Sequence, residues 1–484
     1  MIDLPSLAIM TPLVYAIIAF AAGQRTARIL APVALTAFAL LAAALVDAVV
    51  RDGVQRVAVA GWAAPLGIEL VADGLACAMV AMTAAVSLGA GLYALWYLDP
   101  REPGTASFWP LGGLLIASLN ALFLSADLFN VYVALELLGL AAVGLVALQR
   151  SAPAIAAALR YLLAALLGSL AYLMGVALTY GAHGTLAFAE LSLRMSASPV
   201  AWSALALICV GMLLKTALFP LHFWLPPAHG GAVTPASALL SAVVIKGSFY
   251  VLLRLWFDVF GAAVGAHAAH LLGALGAAAV LWGSLLAMRQ LRLKMVVAYS
   301  TVAQVGYLFL LFPLATDARV AADAWSGGVY HAVSHAFAKS AMFLAAGAMI
   351  AASPSDRIDR LAGVAQRVPI GVFAFALAGM SIMGLPPTGG FIAKWLLLAS
   401  AVASGQWWWA VVLLAGGALA AVYVFRVLRW AFVMRGVRSE EPIAALRPLE
   451  LIAMALALIA IGLGFAPQLL LRLLQVGPMA SGAL

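Results

Sequence analysis

The chain has 484 residues, 66% of them hydrophobic and only 9% charged, with a net charge of +8 and a mean hydropathy of +1.11. A soluble domain carries roughly 25% charged residues, so no aqueous core could hide this much apolar surface, and the solvent must be lipid. The two cysteines lie in apolar runs, which speaks against a disulfide framework or a thiolate metal cluster, and the basic residues stand singly in short loops, which speaks against nucleic acid as a partner.

A membrane-crossing helix needs about 20 mostly apolar residues. Breaks at charges and at Gly/Pro clusters leave about fourteen such runs. They lie near 4–22, 27–50, 73–98, 109–125, 128–149, 155–180, 201–221, 233–257, 265–288, 295–314, 325–351, 369–400, 407–434 and 448–474. The first follows Met1-Ile2-Asp3 without a basic region, and is expected to be a retained span and not a cleaved signal. The runs are too long and too little alternating for strands, so the expected class is an all-α polytopic membrane protein.

Arginines orient the chain. Loops after odd-numbered spans hold Arg25, Arg28, Arg101, Arg150, Arg160, Arg289, Arg292, Arg357, Arg360, Arg367, Arg426, Arg429, Arg435, Arg438 and Arg447. Loops after even-numbered spans hold only Arg51, Arg56, Arg194, Arg254 and Arg319. Positive loops stay in the cytoplasm, so both termini are expected on the outer side, with an even number of spans.

Lysines are used differently. Lys294 sits with Arg289 and Arg292 and reads as a cytoplasmic loop residue. Lys215, Lys246, Lys339 and Lys394 fall within apolar runs. Arginine keeps its proton in any protein site, whereas an amine taken out of water holds its proton less tightly and can exchange it. A lysine at mid-membrane costs about 2.5–3.5 kcal/mol on insertion scales. Snorkelling to an interface is the bland alternative, more so for Lys394, which follows a helix break. Glu136, in DLFNVYVALELLGL, reads as the most deeply placed acid, and Lys215 is its candidate counter-charge. Asp73, Asp127 and Asp258, at span ends, read as caps or interface anchors.

His331, His335 and Lys339 recur every four residues in YHAVSHAFAKS, which stacks them on one helix face. Such a row can hand protons along. Paired histidines at this spacing also suit zinc, but no acid or cysteine lies near in sequence to complete a ligand set, so no metal is expected. A buried polar pair without a transport role is the other alternative. Two spans carry helix breakers: Pro220, Pro226 and Pro227 after Lys215, and Pro386 and Pro387 before Lys394. Proline removes a backbone donor, and broken helices at membrane depth survive only where they line protein or water. The two Leu-Pro-Pro stretches are about 160 residues apart, a separation that fits two inverted five-helix repeats. His222 and His229 flank the first break and are candidates for a proton inlet.

These stretches, together with LLKTALFPLHFWLPPAHGGAVTPASALLSAVVIKGSFYVLLR, LKMVVAYSTVAQVGYLFL and GLPPTGGFIAKWLLL, resemble the antiporter-like proton-channel subunits: the N, M and L subunits of respiratory complex I, the large subunits of membrane-bound hydrogenases, and the A and D subunits of Mrp antiporters. The resemblance runs from about Leu66 to Arg435, and WAAPLGIELVADGL is most like the Mrp D and hydrogenase branches. It implies fourteen helices: three (1–108), a first inverted repeat of five (109–258), a second (259–435) and a last helix (436–484). It implies a proton path through Glu136, Lys215, Lys246, Lys339 and Lys394, with His331 and His335 alongside. This chain departs from the family in reading Leu-Pro-Pro-Ala-His where many members read Leu-Pro-Asp-Ala-His, and Lys394 speaks against the M branch. It is expected to lack the long lateral helix of the L subunit and the extension of Mrp A. The implied function is a proton-translocating subunit of a multi-subunit bacterial inner-membrane complex. That complex would be Mrp-, hydrogenase- or complex I-like, with H+ and in some readings Na+ as the ion moved. No cofactor is expected: no phosphate-binding loop follows a strand and cysteines are too few for a cluster. A stand-alone secondary transporter, or a non-conducting anchor for a peripheral enzyme, stays open as an alternative.

Overall fold

The computed structural model describes residues 3–62, 67–102, 104–433 and 442–477. Met1, Ile2, Leu66, Arg435 and Arg438, used above, lie outside them. Among the described residues, thirteen helical stretches are long and apolar enough to cross a membrane. In chain order these are α1 (Leu4–Ala21), α2 (Gly23–Asp52), α3 (Gly74–Tyr97), α4 (Thr105–Leu124), α5 (Leu128–Gln149), α6 (Ala152–His183), α7 (Pro199–Gly231), α8 (Thr234–Val259), α9 (Ala266–Arg289), α10 (Leu293–Leu314), α11 (Ala321–Ala351), α13 (Trp407–Phe432) and α14 (Ala444–Phe465). The place of α12 is filled by two shorter apolar helices, α12a (Pro369–Met383) and α12b (Gly389–Ala403). Together they form the broken span that the sequence pattern calls for, and they bring the number of crossings to fourteen.

Contacts between loops sort the connections onto two faces. On one, Arg28 after α1 donates to the Leu95 and Leu98 carbonyls before the third loop. The backbone of Leu293 after α9 bonds Asp356 after α11, and Gly363 after α11 bonds Val433 after α13. On the other face, a hairpin of β1 (Gln55–Ala58) and β2 (Glu69–Ala72) follows α2. Leu70 of that hairpin bridges to Ser125 after α4, and Asp127 bridges to Ala187 after α6. The segment after α14 reaches this face as well, where Val476 accepts from Gly74. Odd-numbered loops therefore share one face and even-numbered loops the other. The hairpin is an addition to the sequence reading: four-residue strands are too short to rise above the pattern of a 22-residue loop.

Burial rises toward the middle of the bundle. The most apolar stretches of α8 and α11 are 100% and 94% enclosed by protein, against 33% for α1, α13 and α14. A helix apolar on every side and enclosed on every side has no need of an amphipathic stripe. Its polar residues then face other protein, and α8 and α11 are the helices that carry Lys246 and the His331–His335–Lys339 series.

A buried row of amines between two broken helices

In α7 the first half-helix, Pro199–Thr216, ends at Ala217, which is left-handed with φ 58°. A short 3-10 turn over Leu221–Trp224 follows, then a second half, Leu225–Gly231. Pro226 and Pro227 lie in the first turn of that second half, where a missing N–H is harmless. The break therefore falls at Ala217–Pro220, not at the double proline. Lys215 sits in the last turn before the break, where unpaired carbonyls favour a cation. Its Nζ lies 3.8 Å from Glu136 Oε1 of α5. Gly139 and Gly168 leave room for its side chain: a Cβ at Gly168 would stand 3.2 Å from the lysine Cγ. A small cavity lined by Leu138, Gly139, Tyr161, Val244 and Ser248 adjoins it.

In α12 the first half ends at Gly384, left-handed with φ 85°. Pro386 and Pro387 occupy the connection, and Thr388 caps the second half by accepting from Phe391 N–H. Lys394, one turn into the second half, reaches back so that Nζ donates to the Ile382 carbonyl at 2.7 Å. It also stands 4.2 Å from the centroid of the Tyr307 ring, a cation–π distance. Each of the four ammonium groups meets a partner within the protein.

Between these ends the row continues. Lys246 Nζ donates to the Ser241 carbonyl at 2.6 Å, beside a π-helical turn over Leu240–Val244, a deformation that clusters at functional sites. Thr216 next to Lys215 donates to Ser248 at 2.9 Å, joining α7 to α8. Lys339 Nζ donates to the Val297 carbonyl and to Ser300 Oγ, both at 2.6 Å. His331 and His335 stack with ring centres 5.7 Å apart, and His335 lies within electrostatic range of Lys246, Lys339 and Lys394. No three His, Cys, Asp or Glu side chains converge among the described residues; the histidines face amines.

His222 and His229, the candidate inlet residues, both follow the first break but stand in different surroundings. His229 is fully buried, stacked on Phe343 and within range of Lys339, Lys294 and Lys246. His222 is half-buried beside Phe219 at the break. Lys294 is not a free loop lysine. It opens α10, half-buried, and its Nζ donates to the Ala232 carbonyl just past the end of α7. Glu136 stands mid-way along α5 with its side chain 26% exposed, whereas Asp73 and Glu450, at the starts of α3 and α14, are the acids most enclosed by protein among the described residues. Glu450 of α14 accepts from the Gly371 N–H at 2.7 Å and caps the start of α12a from outside.

Arg254 is not a loop arginine either. It is buried in α8, donates to Asp73 and, at 3.0 Å each, to Asp258 and the Tyr250 hydroxyl. Asp73 also caps α3 by accepting from Ala76 N–H. The signal is present in the sequence: Lys246, Tyr250, Arg254 and Asp258 follow at four-residue steps, which line one face of α8. In the loops arginine behaves as the composition implies, with Arg319 and Arg357 hydrogen-bonding Asp317 and Asp359 and holding those carboxyls below their ordinary range.

Fourteen crossings, two broken helices and a buried lateral row of amines define a class of ion-translocating membrane subunit. Comparison with known proteins names the family. Residues 125–420 match the family described as NADH:quinone oxidoreductase/Mrp antiporter, TM, and the chain belongs to it. The N subunit of the NADH-quinone oxidoreductase of Desulforudis audaxviator is 38% identical over 423 residues, 85% of this chain and 82% of that protein. The D-type polypeptide of the Na(+)/H(+) antiporter of Bacillus subtilis is 29% identical over 404 residues, covering 82% of this chain and 80% of that one. Among solved structures, a chain of the Mrp complex from a Dietzia species superposes with TM-score 0.88 at 25% identity, covering 100% of this chain and 97% of that one. A chain of an archaeal membrane-bound sulfane sulfur reductase superposes with TM-score 0.90 at 26% identity, covering 99% of both. The chain is an antiporter-like membrane subunit of the kind that Mrp, complex I and related assemblies contain.

Proposed function

We propose that this chain moves protons laterally and across the membrane through Glu136, Lys215, Lys246, Lys339, His335, His331 and Lys394, as one subunit of a larger complex in the bacterial inner membrane. The observation that carries this reading is the row itself. Four amines are buried between two helix breaks; Lys246, Lys339 and Lys394 are held by carbonyl, hydroxyl and aromatic partners, and Lys215 alone faces a carboxylate. An ammonium solvated by dipoles can lose its proton without stranding an anion, whereas an arginine in the same place could not.

The proton is the favoured cargo. A sodium ion would find one carboxylate along the row among four amines, so any sodium exchange by the whole complex would take another path. The two breaks support an inverted-repeat organisation of α4–α8 and α9–α13, because α7 and α12 each hold the fourth place and each turns left-handed after its first half. The arginine asymmetry supports odd-numbered loops in the cytoplasm and both termini outside. Burial of Arg254 removes one arginine from the outer side and sharpens that asymmetry.

Reconstitution of the complete complex into vesicles, with internal pH followed by a fluorescent dye, tests the reading. Lys339→Met should abolish proton movement while the subunit still co-purifies with its partners. Normal acidification by that variant would show that the row is structural. Substituting choline for sodium should leave the rate unchanged if the row carries protons alone.

A further inference from the structure

α13 is the fifth helix of the second repeat, the place that α8 holds in the first. α8 brings Lys246 into the row, whereas α13 is largely lipid-facing and carries arginine only near its end. Its buried face includes Gly416 and Tyr423, seven positions apart. Tyr423 is fully buried, and its hydroxyl faces Ser300 and Gln304 of α10 without completing a hydrogen bond to either. Gly416 makes room for a second hydroxyl, that of Tyr307, with which a Cβ there would collide.

These groups sit between two of the amines. On one side Lys339 Nζ donates to Ser300 Oγ at 2.6 Å. On the other, Lys394 stands over the ring of Tyr307 at 4.2 Å. The Gln304 side chain is buried, and neither its nitrogen nor its oxygen bonds to a protein group; the same holds for the hydroxyls of Tyr307 and Tyr423. A buried polar group left unpaired costs about 1–3 kcal/mol. Packing alone would be served as well by phenylalanine and methionine at these positions. Hydroxyl and primary amide groups share the ability to donate and accept at once. The Gln304 backbone carbonyl also receives His331 Nε2 at 3.1 Å, which ties this layer to the histidines of α11.

We propose that Tyr423, oriented by Gln304, forms a second proton branch between Lys339 and Lys394, parallel to the His335–His331 branch on α11. The proposal rests on the reading of the row as a proton path. Its steps conserve atoms. Lys339 gives a proton to Ser300 Oγ as Ser300, whose O–H rests on the Val297 carbonyl at 2.8 Å, turns and gives its own proton to Tyr423. The Tyr423 oxygen takes that proton as its original O–H proton passes to the Tyr307 oxygen, and Tyr307 in turn releases its own proton to the neutral amine of Lys394. Each hydroxyl ends neutral and no electron moves. Gln304 is a positioning residue, because its amide fixes the direction of the Tyr423 hydroxyl without itself changing charge.

The test is a double-mutant cycle in the complete complex in vesicles, with Tyr423→Phe, His331→Ala and both together, and with Lys339→Met as reference. Parallel branches predict that each single change slows proton movement by about two- to fivefold, and that the pair slows it by well over the product of the two, roughly a hundredfold. A Tyr423→Phe rate equal to the parent, with the double variant no slower than His331→Ala alone, would overturn the branch; so would a pair no slower than the product of the two, or complete loss from Tyr423→Phe alone, which would put the tyrosine in series. Should Tyr423→Phe lower recovery of the complex, Gln304→Met probes the same branch by removing only the orienting amide. A rate unchanged in Lys339→Met would instead defeat the underlying proton reading, so the two failures are distinct.

Discussion

The two helix breaks solve the same problem with different counter-groups. At the first, Lys215 faces a carboxylate, Glu136, at 3.8 Å. At the second, Lys394 faces carbonyls at the end of the preceding half-helix and the face of Tyr307, with no acid among its partners in the described residues. An ion pair holds its ammonium through a full opposite charge, whose pull depends steeply on distance in a low-dielectric interior. A set of dipoles holds it more weakly and changes less when the side chain moves. The first break therefore has the makings of a switch, in which a small displacement of Lys215 from Glu136 changes proton affinity. The second has the makings of a terminal station, whose affinity is set by fixed groups.

That contrast can be broken most forcefully at the lysines. On the proposed path, Lys215→Ala and Lys394→Ala in the assembled complex should each cut proton movement by at least about tenfold, since each would remove a proton carrier. Lys394→Arg should be as damaging as alanine, because arginine keeps charge and reach but not the ability to release a proton. An active Lys394→Arg complex would reduce the second station to a fixed charge. The next effect is smaller. Glu136→Gln keeps the side chain's size but removes the anion, and should slow transport by about two- to tenfold. Gln304→Met should slow it less than Glu136→Gln, because it disturbs only one of two branches. If Glu136→Gln proved silent, the switch would have to be sought elsewhere.

A different kind of effect is expected away from the row. Asp73→Asn leaves the buried Arg254 with Asp258 as its remaining acid, and breaking a buried charge pair costs about 3–5 kcal/mol. The result should be a lower melting temperature of the purified complex, with the residual folded fraction pumping normally. A transport defect without loss of stability would instead bring the α8 face of Tyr250, Arg254 and Asp258 into the conduction path.

How far the sequence foretells these features depends on the range of the interaction. The spans, the Glu136–Lys215–Lys246–Lys339–Lys394 set and the existence of two breaks are local signals: apolar run length, a lysine among aliphatic residues, a double proline. The misplacements come from long-range partners. Arg254 resembles a loop residue because it stands near the end of an apolar run, and its partner Asp73 is 181 positions away. Lys294 resembles surface charge because its neighbours Arg289 and Arg292 are, while its acceptor Ala232 lies 62 positions back. Tyr307 and Tyr423 are indistinguishable in sequence from apolar filling, since an aromatic residue in a span reveals its hydroxyl's role only when its surroundings are known. The double proline at Pro226 marks the first break but not its register, because proline at a helix start is as favourable as proline in a kink.

The smallest expected effect compares the breaks residue for residue. Each first half-helix ends in a left-handed residue, Ala217 with φ 58° and Gly384 with φ 85°. A residue with a side chain is strained by about 1–2 kcal/mol in that region, and glycine is not. The sequence accepts the strain at the first break and avoids it at the second, and the reason is visible at the second. A Cβ on Gly384 would stand 2.7 Å from Lys394 Cδ, against the very side chain that must reach back to Ile382. The first break makes no such demand on Ala217, because Lys215 lies before the turn and points toward α5. Ala217→Gly should therefore raise the melting temperature slightly or leave it unchanged, since lost strain is offset by the greater freedom of glycine in the unfolded chain, with transport intact. Gly384→Ala should lower stability and, by displacing Lys394, slow transport as well. Equal responses at the two positions would mean that the left-handed residue serves only the turn, and that the reach of Lys394 places no demand on it.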